Sequence, residues 1–179
     1  MFGTDGGGRG ELYVLLQICL IILLGFGPGV FHSSLQDRTY PILQGDVPVF
    51  LGVIFCIFGV LMGKAGATGL GSSLTPWPKP LPDNRLETRG MFKHCRHPTY
   101  AGLLLSTFGY ALFVGTVLRL VLFALLFIVI DFKTSREEAW LLDRHKEDYE
   151  KYCKKIPRYI PLDPHAAIGD AWRSLWGQL

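Results

Sequence analysis

PTYAGLLLSTFGYALFVGTVLRLVLFALLFIVIDF, residues 98–132, is the run whose reading decides the fold. As one straight helix these roughly 35 residues would reach about 50 Å, against a hydrocarbon core of about 30 Å. The run must therefore fold back. Gly115 and Thr116, followed by Arg119, are the natural turn, giving a helical hairpin. Just upstream lies Gly-Met-Phe-Lys-His-Cys-Arg-His, residues 90–97. Pro98 suits the first helical position, where its fixed φ is preset and its missing N–H leaves nothing unpaired. Arg96, His97 and Tyr100 then surround a helix N-terminus, whose free N–H groups and partial positive charge suit a carboxylate or phosphate. A basic juxtamembrane anchor explains the same residues. Downstream, Lys133 to Lys155 is charged and helical, with Glu138, Leu142, His145, Tyr149 and Tyr152 spaced to share one face, and Pro157 and Pro161 end it.

Of the 179 residues, 49% are hydrophobic, and the apolar ones are bunched into long runs with few charges. That is the texture of a membrane-spanning chain. A net charge of +3, carried by juxtamembrane Lys and Arg, does not suit nucleic acid. Cys19, Cys56, Cys95 and Cys153 are widely spaced and form no disulfide framework. A flexible glycine-rich terminus (1–10) precedes span one, Leu12 to Gly25, which stops at Gly25-Phe-Gly-Pro-Gly and is read as retained. A polar link, Phe31 to Asp46, leads to span two, Val47 to Gly63, whose Gly52, Gly59 and Gly63 would let another helix approach closely. Gly63 to Arg89 reads as a loop with alternating prolines after Thr75, a tether that would also suit a wall or lid over a site.

The expected fold is thus an all-α integral membrane protein, a single membrane domain of about four spans with spans three and four as the hairpin. A C-terminal cytoplasmic-side helix and a tail over 162–179 follow. Only Arg38 and Arg119 fall on the far side, so the positive-inside rule puts the Gly90 stretch and the Glu137 helix on one side, cytoplasmic or its organellar equivalent. The membrane could be endoplasmic reticulum, organellar or bacterial inner membrane.

Two motif blocks carry a resemblance to a known family. Gly90, Phe92, Arg96, His97, Pro98, Tyr100 and Gly102 match a glycine and an aromatic followed by Arg-His-Pro-x-Tyr-x-Gly. Glu137, Glu138, Leu141, Tyr149, Tyr152, Arg158 and Pro161 match Glu-Glu-x-x-Leu, paired tyrosines and Arg-x-x-Pro. The chain resembles the isoprenylcysteine carboxyl methyltransferase and phospholipid methyltransferase group of membrane enzymes, with the motif region over 63–161. It departs from the pattern at Phe92, where many members have Tyr, and at His145-Lys146, where they often have Phe-Gly; the second change is expected to affect only local packing.

The resemblance implies S-adenosylmethionine as cofactor and a lipid-like methyl acceptor, such as a prenylcysteine carboxylate, in contact with membrane lipid. It implies cofactor-binding roles for Arg96, His97, Pro98, Tyr100, Gly102, Glu137, Glu138, Tyr152 and Tyr159. Arg96 or His97 would take the methionyl carboxylate and Glu138 the ribose hydroxyls, with tyrosine faces for the sulfonium. Glu138 and Arg158 would be catalytic, Arg158 holding an acceptor carboxylate that needs no strong base; His97 or His145 would serve as base for an amine or thiol. Each residue has a plainer reading: Arg96 and Arg158 as lipid-phosphate anchors, Glu137 as an i,i+4 partner of Lys133, Tyr149 and Tyr152 as interfacial belt residues. His94, Cys95 and His97 lack a fourth donor for a metal. The alternative function is a non-catalytic subunit that keeps the fold within a larger complex of other membrane subunits, docking through Trp172, Leu175 and Trp176.

Overall fold

The computed structural model describes residues 10–27, 45–77 and 86–159. The terminus before Gly10, most of the polar link, the prolines after Trp77 and the C-terminal tail lie outside the described residues. Every regular element among the described residues is helical: α1 (Glu11–Phe26), α2 (Asp46–Leu70), 3-10 turns at Gly71–Ser73 and Gly90–Lys93, α3 (Pro98–Val114) and α4 (Val117–Lys155).

α2 runs seven residues past the expected end at Gly63, so the loop begins only at Gly71. Gly66 and Gly69 read as loop signals, yet they are packing positions. A side chain at Gly66 would lie 2.7 Å from the backbone nitrogen of Thr99, and one at Gly69 would meet the Phe92 ring at 3.0 Å. The same logic holds along the pair: Gly52 faces the Gly109 carbonyl, and Gly59 faces Gly102 and Ser106, so α2 and α3 touch backbone to backbone. Gly102 belongs to this seam. It was expected at the cofactor, but a Cβ there would strike Gly59 and Gly63, and its role is to let the helices meet.

The hairpin turn lies where expected. Gly115 adopts φ 70°, ψ 31°, a left-handed conformation open to glycine, and its N–H closes on the Ala111 carbonyl at 2.9 Å. Thr116 then caps α4 by accepting from the Arg119 N–H. α1 packs against α4, with Leu20 and Ile21 on the core formed by Leu104, Leu126 and Ile130.

α4 joins two expected elements, the fourth apolar span and the charged helix, but it is not one rod. A straight helix of its 39 residues would be about 58 Å long. Arg158 nevertheless touches Asp131, and Tyr159 touches Thr134. The chain reverses at Lys146, whose φ 45° and ψ −118° break the helix. The substitution of the expected glycine by Lys146 is therefore a backbone matter, since that conformation favours glycine. The expected stripe is not a single face: Tyr149 is buried, but Leu142 is exposed and Leu141 lies inside.

Only the stretch Asp46–Ser73, among the described residues, is both long and apolar enough to cross a membrane. α1 and α3, with 16 and 17 residues, reach about 24–26 Å, short of a bilayer core without tilt or flanking residues. The fold is all-helical as expected, while the count of four spans is not established by these lengths.

Candidate functional site

The 3-10 turn at Gly90–Lys93, entered through Gly90 at φ 57°, buries Phe92 and leads Cys95 into the interior. Two backbone bonds then clasp this stretch to the C-terminal arm: Arg96 N–H donates to the Pro157 carbonyl at 2.9 Å and His97 N–H to the Arg158 carbonyl at 3.1 Å. Arg96 Nη1 adds a bond to the Cys153 carbonyl, and the Tyr152 hydroxyl donates to the Phe92 carbonyl at 2.6 Å. The reversal at Lys146 thus brings the two motif blocks together.

Glu138 is the hub of the contact. Its Oε1 lies 3.0 Å from Arg96 Nη2 and 3.1 Å from His97 Nε2, and its Oε2 lies 2.7 Å from Arg158 Nη2. Burial by itself would raise this carboxyl; the hydrogen bond and charge of His97, with the Arg158 and Arg96 guanidiniums, outweigh it and hold the group well below the usual carboxylate range. Arg158 is in turn bound to Asp131 at 2.8 Å and to Ser135. Both expected catalytic residues therefore lie in an ion cluster behind the cleft, each engaged with protein partners.

Glu137, one residue earlier, points elsewhere. Its Oε2 accepts from the Tyr100 hydroxyl at 2.8 Å, its Oε1 is 3.9 Å from His97 Nδ1, and it lines a cleft. Burial in the cleft wall raises its carboxyl, against the lowering pull of His97, Tyr100 and Lys133. It is not the surface partner of Lys133 that i,i+4 spacing suggested. Lys133 is buried behind Tyr100, 4.9 Å from the ring centroid, with Nζ donating to Gln17 on α1 at 2.8 Å.

The cleft encloses about 80 Å³ and is open to solvent at its mouth. The end of α2 and the following loop (Leu70, Leu74, Trp77) face Arg96, Tyr100 and Glu137 across it. Of the expected cofactor residues, Arg96, His97, Pro98, Tyr100, Glu137 and Tyr152 line it, whereas Gly102, Glu138 and Tyr159 do not. Tyr159 instead hydrogen-bonds Thr134 and Asp131 and meets Phe127 edge-on, which takes its ring away from the cleft. Thr99, Trp77 and Leu141 line the cleft without having been singled out as ligands. Leu141 belongs to the second motif block, where it was not read as a ligand; nothing in the spacing distinguishes Thr99 and Trp77, which come from the start of α3 and the loop after α2.

A family model for phospholipid methyltransferases matches residues 47–148, from the start of α2 to just beyond the break in α4. The chain belongs to the phospholipid methyltransferase family. Over 83 residues it is also 35% identical to the protein-S-isoprenylcysteine O-methyltransferase of Schizosaccharomyces pombe, an alignment covering 46% of this chain and 35% of that relative. The chain thus spans about a third of the length of the curated relative it matches. The family is one of methyltransferases, and family membership with the apolar α2 is consistent with a membrane location.

The residues of the cleft fit the methyl donor that a methyltransferase needs. A carboxylate (Glu137), basic side chains (Arg96, His97) and aromatic rings (Trp77, Phe92, Tyr152) line the cleft together, the donor set that a ligand carrying hydroxyls, a carboxylate and a sulfonium calls for.

Proposed function

We propose that this chain is a membrane methyltransferase that uses S-adenosylmethionine and acts on a lipid-like acceptor, with a prenylcysteine carboxylate as first candidate. The observation that carries the reading is a cleft, within a methyltransferase-family fold, whose wall sets the Glu137 carboxylate beside Arg96, His97 and Tyr100. Glu137 would accept from the ribose hydroxyls, the start of α3 with Arg96 or His97 would hold the methionyl carboxylate, and the rings of Trp77, Phe92 and Tyr152 would face the sulfonium. When bound, the cofactor supplies an electrophilic methyl group. The protein's part is orientation and exclusion of water, since a carboxylate acceptor is already nucleophilic at neutral pH. Glu138 and Arg158 act by fixing Arg96, His97 and the C-terminal arm in place.

The same reading extends to topology. α1, α3 and the apolar half of α4 cross the membrane with α2 as four tilted spans, and the cleft opens on the cytoplasmic or equivalent side, as the positive charges favour. The acceptor's apolar tail would lie among the helices while its headgroup meets the cleft. Among the described residues no feature favours the non-catalytic subunit; the Trp172, Leu175 and Trp176 tail expected to dock it lies outside them. Isothermal titration of the purified full chain with S-adenosylmethionine and S-adenosylhomocysteine tests the donor; no binding at millimolar concentration refutes it. Labelled donor supplied with vesicles containing a prenylcysteine, or with vesicles of phospholipid alone, tests the acceptor through the lipid that gains label.

A further inference from the structure

We propose that Lys133, held by Gln17 of α1, is a positioning residue that orients Tyr100 and Glu137 for the methyl donor, so that α1 helps to set donor affinity. The inference rests on the donor reading above. α1 lies outside the family-matched residues 47–148, and its expected role was that of a membrane span alone.

The Lys133 side chain is almost wholly buried, with the residue 2% exposed. An ammonium in such a place is expensive to desolvate and is normally compensated by a carboxylate in direct contact. Here its described contacts are the neutral amide oxygen of Gln17 at 2.8 Å and the face of Tyr100 at 4.9 Å. A stable helix interface would be served as well by an apolar side chain of this length. The charge therefore has a use that packing does not explain, and it points to the next groups in line. The ring of Tyr100 stacks on His97 at 5.7 Å while its hydroxyl donates to Glu137 at 2.8 Å. Gln17 fixes the ammonium, the ammonium fixes the ring, and the ring's hydroxyl fixes the carboxylate that faces the cleft.

The arrangement also biases charge. Glu137 faces His97 and Tyr100 from the α3 side and Lys133 and Glu138 on its own helix; of these Lys133 and His97 pull its carboxyl toward ionisation, and Glu138 opposes them. Removing Lys133 raises the pH at which Glu137 takes up a proton and loses its value as an acceptor for hydroxyls.

The test is titration of the detergent-solubilised full chain with S-adenosylhomocysteine between about pH 5 and 8.5, with thermal unfolding recorded for each variant. Lys133→Met is expected to weaken binding about tenfold or more at neutral pH and to move the acid loss of binding to higher pH. Lys133→Arg should restore most of the affinity, and Gln17→Leu should weaken binding in the same direction by less. If Lys133→Met does not fold, Gln17→Leu and Lys133→Arg still decide the matter. Wild-type affinity with an unmoved acid limb in the variants overturns the inference while leaving the donor reading intact. Weaker binding with an unmoved acid limb and no rescue by arginine also overturns it, reducing Lys133 to packing. A wild-type chain that does not bind overturns the donor reading, and this inference with it.

Discussion

Replacing Glu138 by glutamine keeps the side-chain shape and removes the charge on which two guanidiniums and the His97 imidazole converge. Arg96 and His97 are buried beside it, with side chains 8% and 5% exposed, and Arg158 is 24% exposed. Breaking a buried ion pair costs about 3–5 kcal/mol, because the partner is left as an uncompensated buried charge. The lower end applies here, since Arg158 keeps Asp131 at 2.8 Å. At about 2–4 °C per kcal/mol for a chain of this size, about 3 kcal/mol lowers the unfolding midpoint by roughly 10 °C. The sequence suggests that Glu138→Ala would abolish cofactor binding and spare the fold. The geometry reverses the emphasis: the fold should suffer first. The sign of the pH dependence follows from the depressed carboxyl of Glu138. Its stabilisation is complete above the unfolded value of about 4.3 and is lost as pH falls toward the folded one. Thermal unfolding in detergent should therefore show a constant gap between wild type and Glu138→Gln above about pH 5 that narrows below about pH 4. A midpoint within about 2 °C of wild type at pH 7 would refute the hub.

Glu137→Gln should do the opposite, leaving the unfolding midpoint nearly unchanged while weakening S-adenosylhomocysteine binding by about tenfold or more in a titration. Lys146→Gly should relieve the φ 45° backbone, a strain of about 1–3 kcal/mol set against about 0.5–1 kcal/mol for glycine's added freedom in the unfolded chain; the midpoint should rise by a few degrees, and a fall would show that the break is unstrained. Gly102→Ala places a methyl 2.5 Å from the Gly59 carbonyl oxygen, so it should destabilise the α2–α3 seam by about 1–3 kcal/mol, read as a lower unfolding midpoint. Cys95 is buried, and burial pushes its thiol up to about 11; iodoacetamide at pH 8 should leave it unmodified until the protein is unfolded, as peptide mapping would show.

Much of the site was legible because its residues do their work locally. Pro98 begins α3 because of its own ring, and Gly115 ends it because the turn needs a left-handed residue. The two motif blocks were visible as a family resemblance. Glycine was harder to read, since the residue that breaks a helix in water is also the one that lets two helices touch. Gly66 and Gly69 extend α2 for the second reason, and only Thr99 and Phe92, which face them, show it.

The sequence by itself determined an all-helical, apolar chain, the hairpin turn at Gly115 and the motif stretch at the start of α3, because chain length, hydropathy and backbone preference act within a few residues. Only the tertiary structure decided how the adjacent Glu137 and Glu138 divide their tasks. Neighbours on a helix point about 100° apart, so one must face away from the other's partners. Which one meets the cations depends on the reversal at Lys146, which carries Arg158 back across 20 residues to Glu138 and leaves Glu137 to the cleft.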